Sequence, residues 1–258
     1  MLESDGCLNT DWILMRIAIV ADVHANLVSF QAVLRHAEEG GALDAIWCLG
    51  DTVGYGPQPN ECLDLLRSHE HLAVAGNHDL AACGSMTVEE FNHDAATAAR
   101  WTGKQLTQSS REYLQSLPLV AQRDTFTLVH GSLREPEWEY LLSTSQARTQ
   151  FGLQETRYSI VGHSHLPFVC REVEAEPPTL LFAPDGERAA LTEQRLILNP
   201  GSAGQPRDGD PRVGYALYDT DAAVVTFARV EYDIAATQQA MKKAGLPRWL
   251  IERLREGL

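Results

Sequence analysis

Arg16-Ile-Ala-Ile-Val-Ala-Asp22-Val-His24 is the stretch that decides the fold. A short run rich in β-branched residues predicts a strand, and this one ends at an aspartate with a histidine two places on. From Leu27 to Ala37, the residues Leu27, Phe30, Val33 and Leu34 share one helical face. Ala45-Ile-Trp-Cys-Leu49 reads as the next strand, Asn60 to Ser68 as the next helix and Leu72 to Ala75 as a third strand. Alternation of this kind builds βαβ units on a largely parallel sheet.

Beyond Ala75 the pattern changes. Residues 81–123 read as a helical excursion from the sheet, with Ala95 to Trp101 the clearest stretch. Strands are predicted at 125–130, 157–162, 178–183, 195–198, 213–219 and 223–232, with Pro- and Gly-rich turns over 199–214. A short helix is expected near Trp249. No linker or repeat divides the chain, so residues 1–258 are expected to form one α/β domain with two sheets. Met15 opens the first strand by itself, which marks residues 1–14 as an N-terminal extension.

Composition narrows the function. The 258 residues are 44% hydrophobic and 22% charged, which excludes disorder and coiled coil. Lysine and arginine total 21 against 35 acidic residues, a net charge of −14. Such a chain lacks the basic stripe of a dedicated nucleic-acid binder. Five cysteines without a Cys-x-x-Cys pair suit a reducing cytoplasm. The start has no basic secretory n-region, and the apolar run from Trp12 to Ala21 is too short for a bilayer.

Five motifs fall, in order, at the downstream ends of strand candidates: Asp22-Val-His24, Gly50-Asp51, Gly76-Asn-His-Asp79, His130-Gly131 and Gly162-His-Ser-His165. Binding sites of open α/β sheets lie beyond the carboxyl ends of the strands. On an extended backbone the pairs at spacing two point to one side, so each presents two ligands to one ion. The glycines before Asp51, Asn77 and His163 suit sharp exits from a strand. Imidazole, carboxylate and amide donors without thiolate fit Mn, Fe, Zn or a similar ion. Seven such ligands are too many for one tetrahedral ion and suit two, with Asp51 the natural bridge. Two divalent ions against Asp22, Asp51 and one hydroxide leave a local charge of about +1, so an acidic protein can still bind phosphate there.

As an ordered set these motifs resemble the calcineurin-like metallophosphoesterases, in particular their compact bacterial and archaeal phosphodiesterase branch. The skeleton spans residues 16–202. The resemblance implies a four-layer sandwich, two mixed β-sheets flanked by helices. It implies Asp22, His24, Asp51 and His165 around one divalent ion, and Asp51, Asn77, His130 and His163 around the other, the ions being Mn, Fe, Zn or Ni. It gives His78 the phosphate contact and the leaving group, and Asp79 the task of orienting the His78 imidazole. A cytoplasmic hydrolase of small phosphoesters is then expected, attacking phosphorus with a metal-bridging hydroxide. One departure stands out. Protein phosphatases and diadenosine tetraphosphatases of the superfamily carry Gly-Asp-x-x-Asp-Arg-Gly, where this chain reads Gly50-Asp-Thr-Val-Gly-Tyr-Gly56 and has no arginine. That counts against both substrate classes. Arg207, in a loop resembling the late loop of the compact branch, is a candidate phosphate contact.

Other residues take plainer readings. His36, His69 and His71 are expected at the surface and His93 at a helix N-terminus. Trp101, Trp138 and Tyr140 are expected to be packing anchors, and Cys48 a small core residue. Ser132 and Ser164 lie beside ligands, but no nucleophile elbow accompanies them. The rivals are a non-catalytic scaffold of the same fold, like the retromer subunit, and a nuclease. The presence of His78 argues against the first, and the missing basic surface against the second.

Overall fold

A computed structural model describes residues 15–258. The expected extension, 1–14, lies outside the described residues, as does Cys7. In chain order the elements are β1 (Arg16–Val20), α1 (Leu27–Glu38), β2 (Ala45–Cys48), α2 (Pro59–Arg67), β3 (His71–Ala73), α3 (Asn77–Cys83), α4 (His93–Gln105) and α5 (Gln108–Ser116). The hairpin β4 (Val120–Arg123) and β5 (Phe126–Val129) follows, then α6 (Thr144–Leu153), β6 (Tyr158–Ile160), β7 (Phe168–Arg171), β8 (Thr179–Phe182), β9 (Arg188–Ala190) and β10 (Leu196–Asn199). The chain closes with β11 (Val213–Asp219), β12 (Val224–Val230), α7 (Ile234–Ala244), α8 (Arg248–Glu252) and a 3-10 turn, Arg253–Arg255.

Two mixed six-stranded sheets result, in the orders β3-β2-β1-β11-β12-β9 and β4-β5-β6-β10-β7-β8. The first is parallel from β3 to β1 and antiparallel from there on. In the second, β5, β6 and β10 run parallel, with antiparallel strands on both flanks. Alternation along β1 shows why they stack. Ile17 and Ile19 face the second sheet, where they join Trp47, Phe126, Leu128, Ile160, Leu196 and Phe227 in the central core. Ala18 and Val20 point the other way, into a layer with Phe30, Val33, Cys62 and Leu66 of α1 and α2. Helix α6 covers the outer face of the second sheet through Ala147 and Phe151. These are the expected four layers.

The helical excursion is shorter than expected. Residues 120–123 form an edge strand paired with β5, not the end of a helix. Its residues Val120 to Arg123 are half-buried or exposed, so a strand margin asks little of their side chains.

Candidate metal centre

All seven expected donors come to one place, at the carboxyl ends of β1, β2, β5, β6 and the N-terminus of α3. Their oxygen- and nitrogen-bearing side chains are almost wholly buried. Asp22, His24 and His165 converge as one group, and Asp51, His130 and His163 as another. Asn77 joins the second, its Oδ1 lying 3.2 Å from His130 Nε2.

The backbone delivers them by a different device from the one expected. Asp22 and His24 do not lie on an extended strand, and neither do His163 and His165. Their φ angles are 54°, 49°, 63° and 59°, and that of Asp51 is 52°. Five non-glycine ligands in the left-handed region mark a strained loop cluster of the sort found at functional sites. Gly76 and Gly162 likewise differ from expectation, since neither has a positive φ. A methyl group on Gly76 would fall on the Asp51 carboxylate, so close approach is what demands glycine there.

Hydrogen bonds fix the tautomer of each ligand histidine. Nδ1 of His24 donates to the Val53 carbonyl at 3.2 Å, Nδ1 of His130 to Leu49 at 2.7 Å, and Nε2 of His163 to Trp138 at 3.0 Å. His165 Nδ1 donates to Gln205. A carbonyl only accepts, so each of these nitrogens carries the proton and the other ring nitrogen of the neutral imidazole is bare. Those bare atoms face one another: His24 Nε2 and His165 Nε2 at 3.2 Å, His130 Nε2 and His163 Nδ1 at 3.0 Å. Lone pairs aimed together in a buried site call for a cation. Two metal–nitrogen bonds of about 2.1 Å at roughly a right angle span this separation. Asp22 Oδ1 is buried without a hydrogen-bond partner, 3.3 Å from His165 Nε2. The donor set therefore fits metal ions, and two of them.

Asp51 faces both groups. Its Oδ1 accepts the His78 backbone N–H at 2.8 Å, while Oδ2 lies 3.7 Å from His24 Nε2 and 3.5 Å from His130 Nε2. Burial opposes its charge, but the imidazoles, His130 foremost, outweigh it and hold the carboxyl below the usual range. Asp22 lacks that surplus, and burial pushes it up to about 7. Burial drives His24 and His165 well below the ordinary histidine value and His163 down to about 3. His130 goes the other way. Burial disfavours its charge, yet Asp51 outweighs that and lifts it to about 9. Without a metal, a proton on His130 meets part of the cradle's demand for positive charge.

His78 stands beside the cradle, its ring 4.2 Å from Tyr55, 4.9 Å from Phe91 and 5.0 Å from His24 between centres. Its Nδ1 is buried without a partner. Asp79 does not orient this ring. Its carboxylate instead accepts Val53 N–H at 3.0 Å and Gly76 N–H at 3.1 Å, closing the N-terminus of α3 and tying it to the Asp51 loop. Backbone donors at a helix start capture it before the neighbouring imidazole can. Arg207 lies at the same place, its guanidinium 5.8 Å from the centre of the Tyr55 ring.

Tyr55 and Phe91 were not singled out from sequence, although Gly54-Tyr-Gly56 flags a tight loop. Tyr140 departs from the packing role expected of it: it is 41% exposed and stacks on His163 at 4.0 Å. Trp138 orients His163 through its carbonyl and meets Phe91, while Trp101 packs in the apolar cluster around Tyr55. Cys48 is fully buried, and burial pushes its thiol up to about 12. His93 starts α4 and is solvent-exposed. His36 and His71 are half-buried and bond to Tyr215 and Tyr113, a more anchored place than the surface expected for them. No described helix is long and apolar enough to cross a membrane.

Comparison with known proteins identifies the family. The profile of the calcineurin-like phosphoesterase superfamily domain matches residues 15–223. A metallophosphoesterase from Sphaerobacter thermophilus superimposes with a TM-score of 0.86 at 46% identity, over 95% of this chain and all of that one. An uncharacterized protein of Methanocaldococcus jannaschii is 37% identical over 92% of this chain and 96% of its own. The symmetrical bis(5′-nucleosyl)-tetraphosphatase of Chromobacterium violaceum is 30% identical, but the match takes in only 56% of this chain and 53% of that one. With a shared domain over most of its length and two buried ligand groups at its strand ends, the chain belongs to the calcineurin-like phosphoesterase superfamily and is a metal-dependent phosphoester hydrolase.

Proposed function

We propose that the protein hydrolyses a small phosphodiester, with phosphomonoesters as lesser substrates, by in-line attack on phosphorus and without a covalent enzyme intermediate. A pair of divalent ions, drawn from Mn, Fe, Zn or Ni, supplies Lewis acidity and hydroxide near neutral pH when bound. The facing bare imidazole nitrogens, with Asp51 Oδ2 set between the two groups, are the observation that carries this reading.

In it, Asp22, His24 and His165 hold one ion, Asn77, His130 and His163 the other, and Asp51 is shared. His78 serves the departing oxygen. Burial takes its imidazole down to about 4, so it is neutral at pH 7 and offers a ring N–H hydrogen bond. Asp79 acts at one remove, by fixing the backbone that carries His78. Arg207 contacts a phosphate oxygen from the side of Tyr55, which occupies the place of the arginine in the loop motif of protein phosphatases. Residues 15–258 work as one catalytic unit, with Phe91 of the helical excursion against the His78 ring. The four described cysteines are free thiols, which suits a cytoplasmic enzyme.

The test is reconstitution with each candidate metal and assay on bis(4-nitrophenyl) phosphate. Turnover is expected with at least one metal, and Asp51→Asn is expected to lose both metal occupancy and turnover. Near-normal turnover in that variant overturns the shared-ligand assignment. Inactivity with every metal overturns the hydrolysis of diesters.

A further inference from the structure

The loop that leads out of β5 is pinned on both sides of Tyr140. Gly131 N–H donates to the Pro136 carbonyl at 2.6 Å, and the Glu135 carbonyl accepts the N–H groups of Trp138 and Glu139, each at 3.2 Å. The buried Glu139 carboxylate accepts the Ser132 hydroxyl at 2.5 Å and pairs with Arg134. On the far side, Leu141 shares an apolar cluster with Val129 and Phe151. The Leu142 N–H donates to Gln146 Oε1 at 3.0 Å, at the start of α6. Burial alternates along this stretch. Glu139 and Leu141 are buried, whereas Tyr140 is 41% and Leu142 53% exposed. Residues two apart on an extended backbone point to one side, so the loop turns an apolar pair outward.

Among the described residues the exposed aromatic side chains are Tyr140, Phe182 and Trp249, and Tyr140 alone of them stacks on a histidine of the cradle. Its ring lies 4.0 Å from that of His163, with 13° between the planes. One face is taken by the imidazole, and the exposure belongs to the rest of the ring. The stack continues as a wall. Trp138 lies 6.4 Å from His163 and 5.1 Å from Phe91, and Phe91 lies 4.9 Å from His78, each pair edge to face. Aromatic rings thus flank the cradle from His78 round to Tyr140. Shielding His163 from water needs only bulk. A flat ring with a free face, held between two anchored neighbours, loses little freedom when a second ring stacks on it.

We propose that Tyr140, with Leu142 on the same side, forms a stacking subsite at the rim of the cradle for a planar aromatic group carried by the reacting phosphate. The substrate class is then an aromatic phosphoester, whether the ring is a nucleobase or a simple aryl group. That the phosphate reacts rests on the hydrolytic reading above. That a ring stacks on Tyr140 is a claim about binding.

Binding without turnover tests it. The Mn-loaded full chain, with free Mn²⁺ in excess, is titrated calorimetrically with probes that cannot be hydrolysed. Phenylphosphonate is set against methylphosphonate, and the phosphonate isostere of AMP against that of ribose 5-phosphate. Within each pair the anionic head is shared and only one member carries an aromatic ring. In at least one pair that member is expected to bind about fivefold more tightly or better, as base–aromatic stacking does elsewhere. The pair that shows it names the source of the ring. Tyr140→Phe is expected to keep the preference. Tyr140→Leu is expected to bring it below about twofold while affinity for the ring-free probe stays within about threefold. Ratios near one in both pairs, no binding at all, or a preference that survives in folded Tyr140→Leu overturns the proposal. So does a larger loss of the ring-free probe in that variant, which would make the stack a support for His163 and nothing more. If circular dichroism shows the Leu variant unfolded, Tyr140→Gln is judged by the same limits. A ring preference in a protein inert to every phosphoester refutes the hydrolytic reading and keeps the subsite. An active enzyme without the preference does the reverse.

Discussion

His130 meets three partners through Nε2, with Asp51, Asn77 and His163 all within 3.5 Å of it. Because Asp51 raises it to about 9, a metal-free molecule at pH 7.5 holds a proton that a metal must displace. Metal uptake is therefore expected to release protons and to tighten as pH rises toward about 9. Calorimetry in two buffers of different ionisation enthalpy reads this directly, and identical heats in both would refute it. His78 is expected to behave differently. His78→Ala should keep both metals by elemental analysis and lower kcat by about 10²–10⁴, the usual worth of an acid–base group; unchanged kcat removes it from the chemistry. The donors were legible in the sequence because each sits at a strand tip in a short motif. The work of Asp79 was not, since adjacency to His78 says nothing about which backbone N–H groups the fold turns toward its carboxylate.

Among the elements, the tight Asp51 loop and the first turn of α1 set the site's geometry. Gly54 has a φ of +92°, and a methyl group there would come 2.6 Å from His78 Nδ1. Gly54→Ala is expected to lower kcat by at least tenfold while leaving metal stoichiometry intact, so loss of metal instead would show that the loop's task is ligation. Asn26 caps α1 by accepting Ser29 N–H, donates to the Gly204 carbonyl and accepts the Thr237 hydroxyl from α7. Removing a cap costs about 1 kcal/mol, and stranding buried partners adds about 1–3. Asn26→Ala should therefore lower Tm by several degrees, at about 2–4 °C per kcal/mol for a chain of this size; an unchanged melting curve would refute the three-way tie. Strongly apolar elements were readable: β1, β2, α1 and the long β11–β12 hairpin fall where their patterns put them. Helix α6 was missed because only Ala147, Gln150 and Phe151 are buried, too few to set a period, and α7 because Thr237 and Gln238 are buried in place of apolar residues. The strands β7 and β9 are four and three residues long, below what alternation can declare.

At the level of the whole molecule, a chain of net charge −14 gathers buried imidazoles and Arg207 around one end of its sheets. Cation binding is thereby coupled to stability, because only the folded chain presents the ligands together. At a free metal concentration a hundred times Kd, each site adds about 2.7 kcal/mol. Chelation is expected to lower Tm and re-addition to restore it, and a melting curve indifferent to both would refute the cradle. The two-sheet arrangement was foreseeable from the ordered motifs, whereas the order of strands was not, since pairing depends on segments far apart. The register of β1 has a consequence for synthesis. One edge of this apolar strand is covered by β2, but the other waits for β11, with Arg16 opposite Asp219. A nascent chain on the ribosome must carry that bare margin until most of its length has emerged. Chains stalled before Val213 are open to pairing with foreign strands, which makes them natural clients for holdase chaperones.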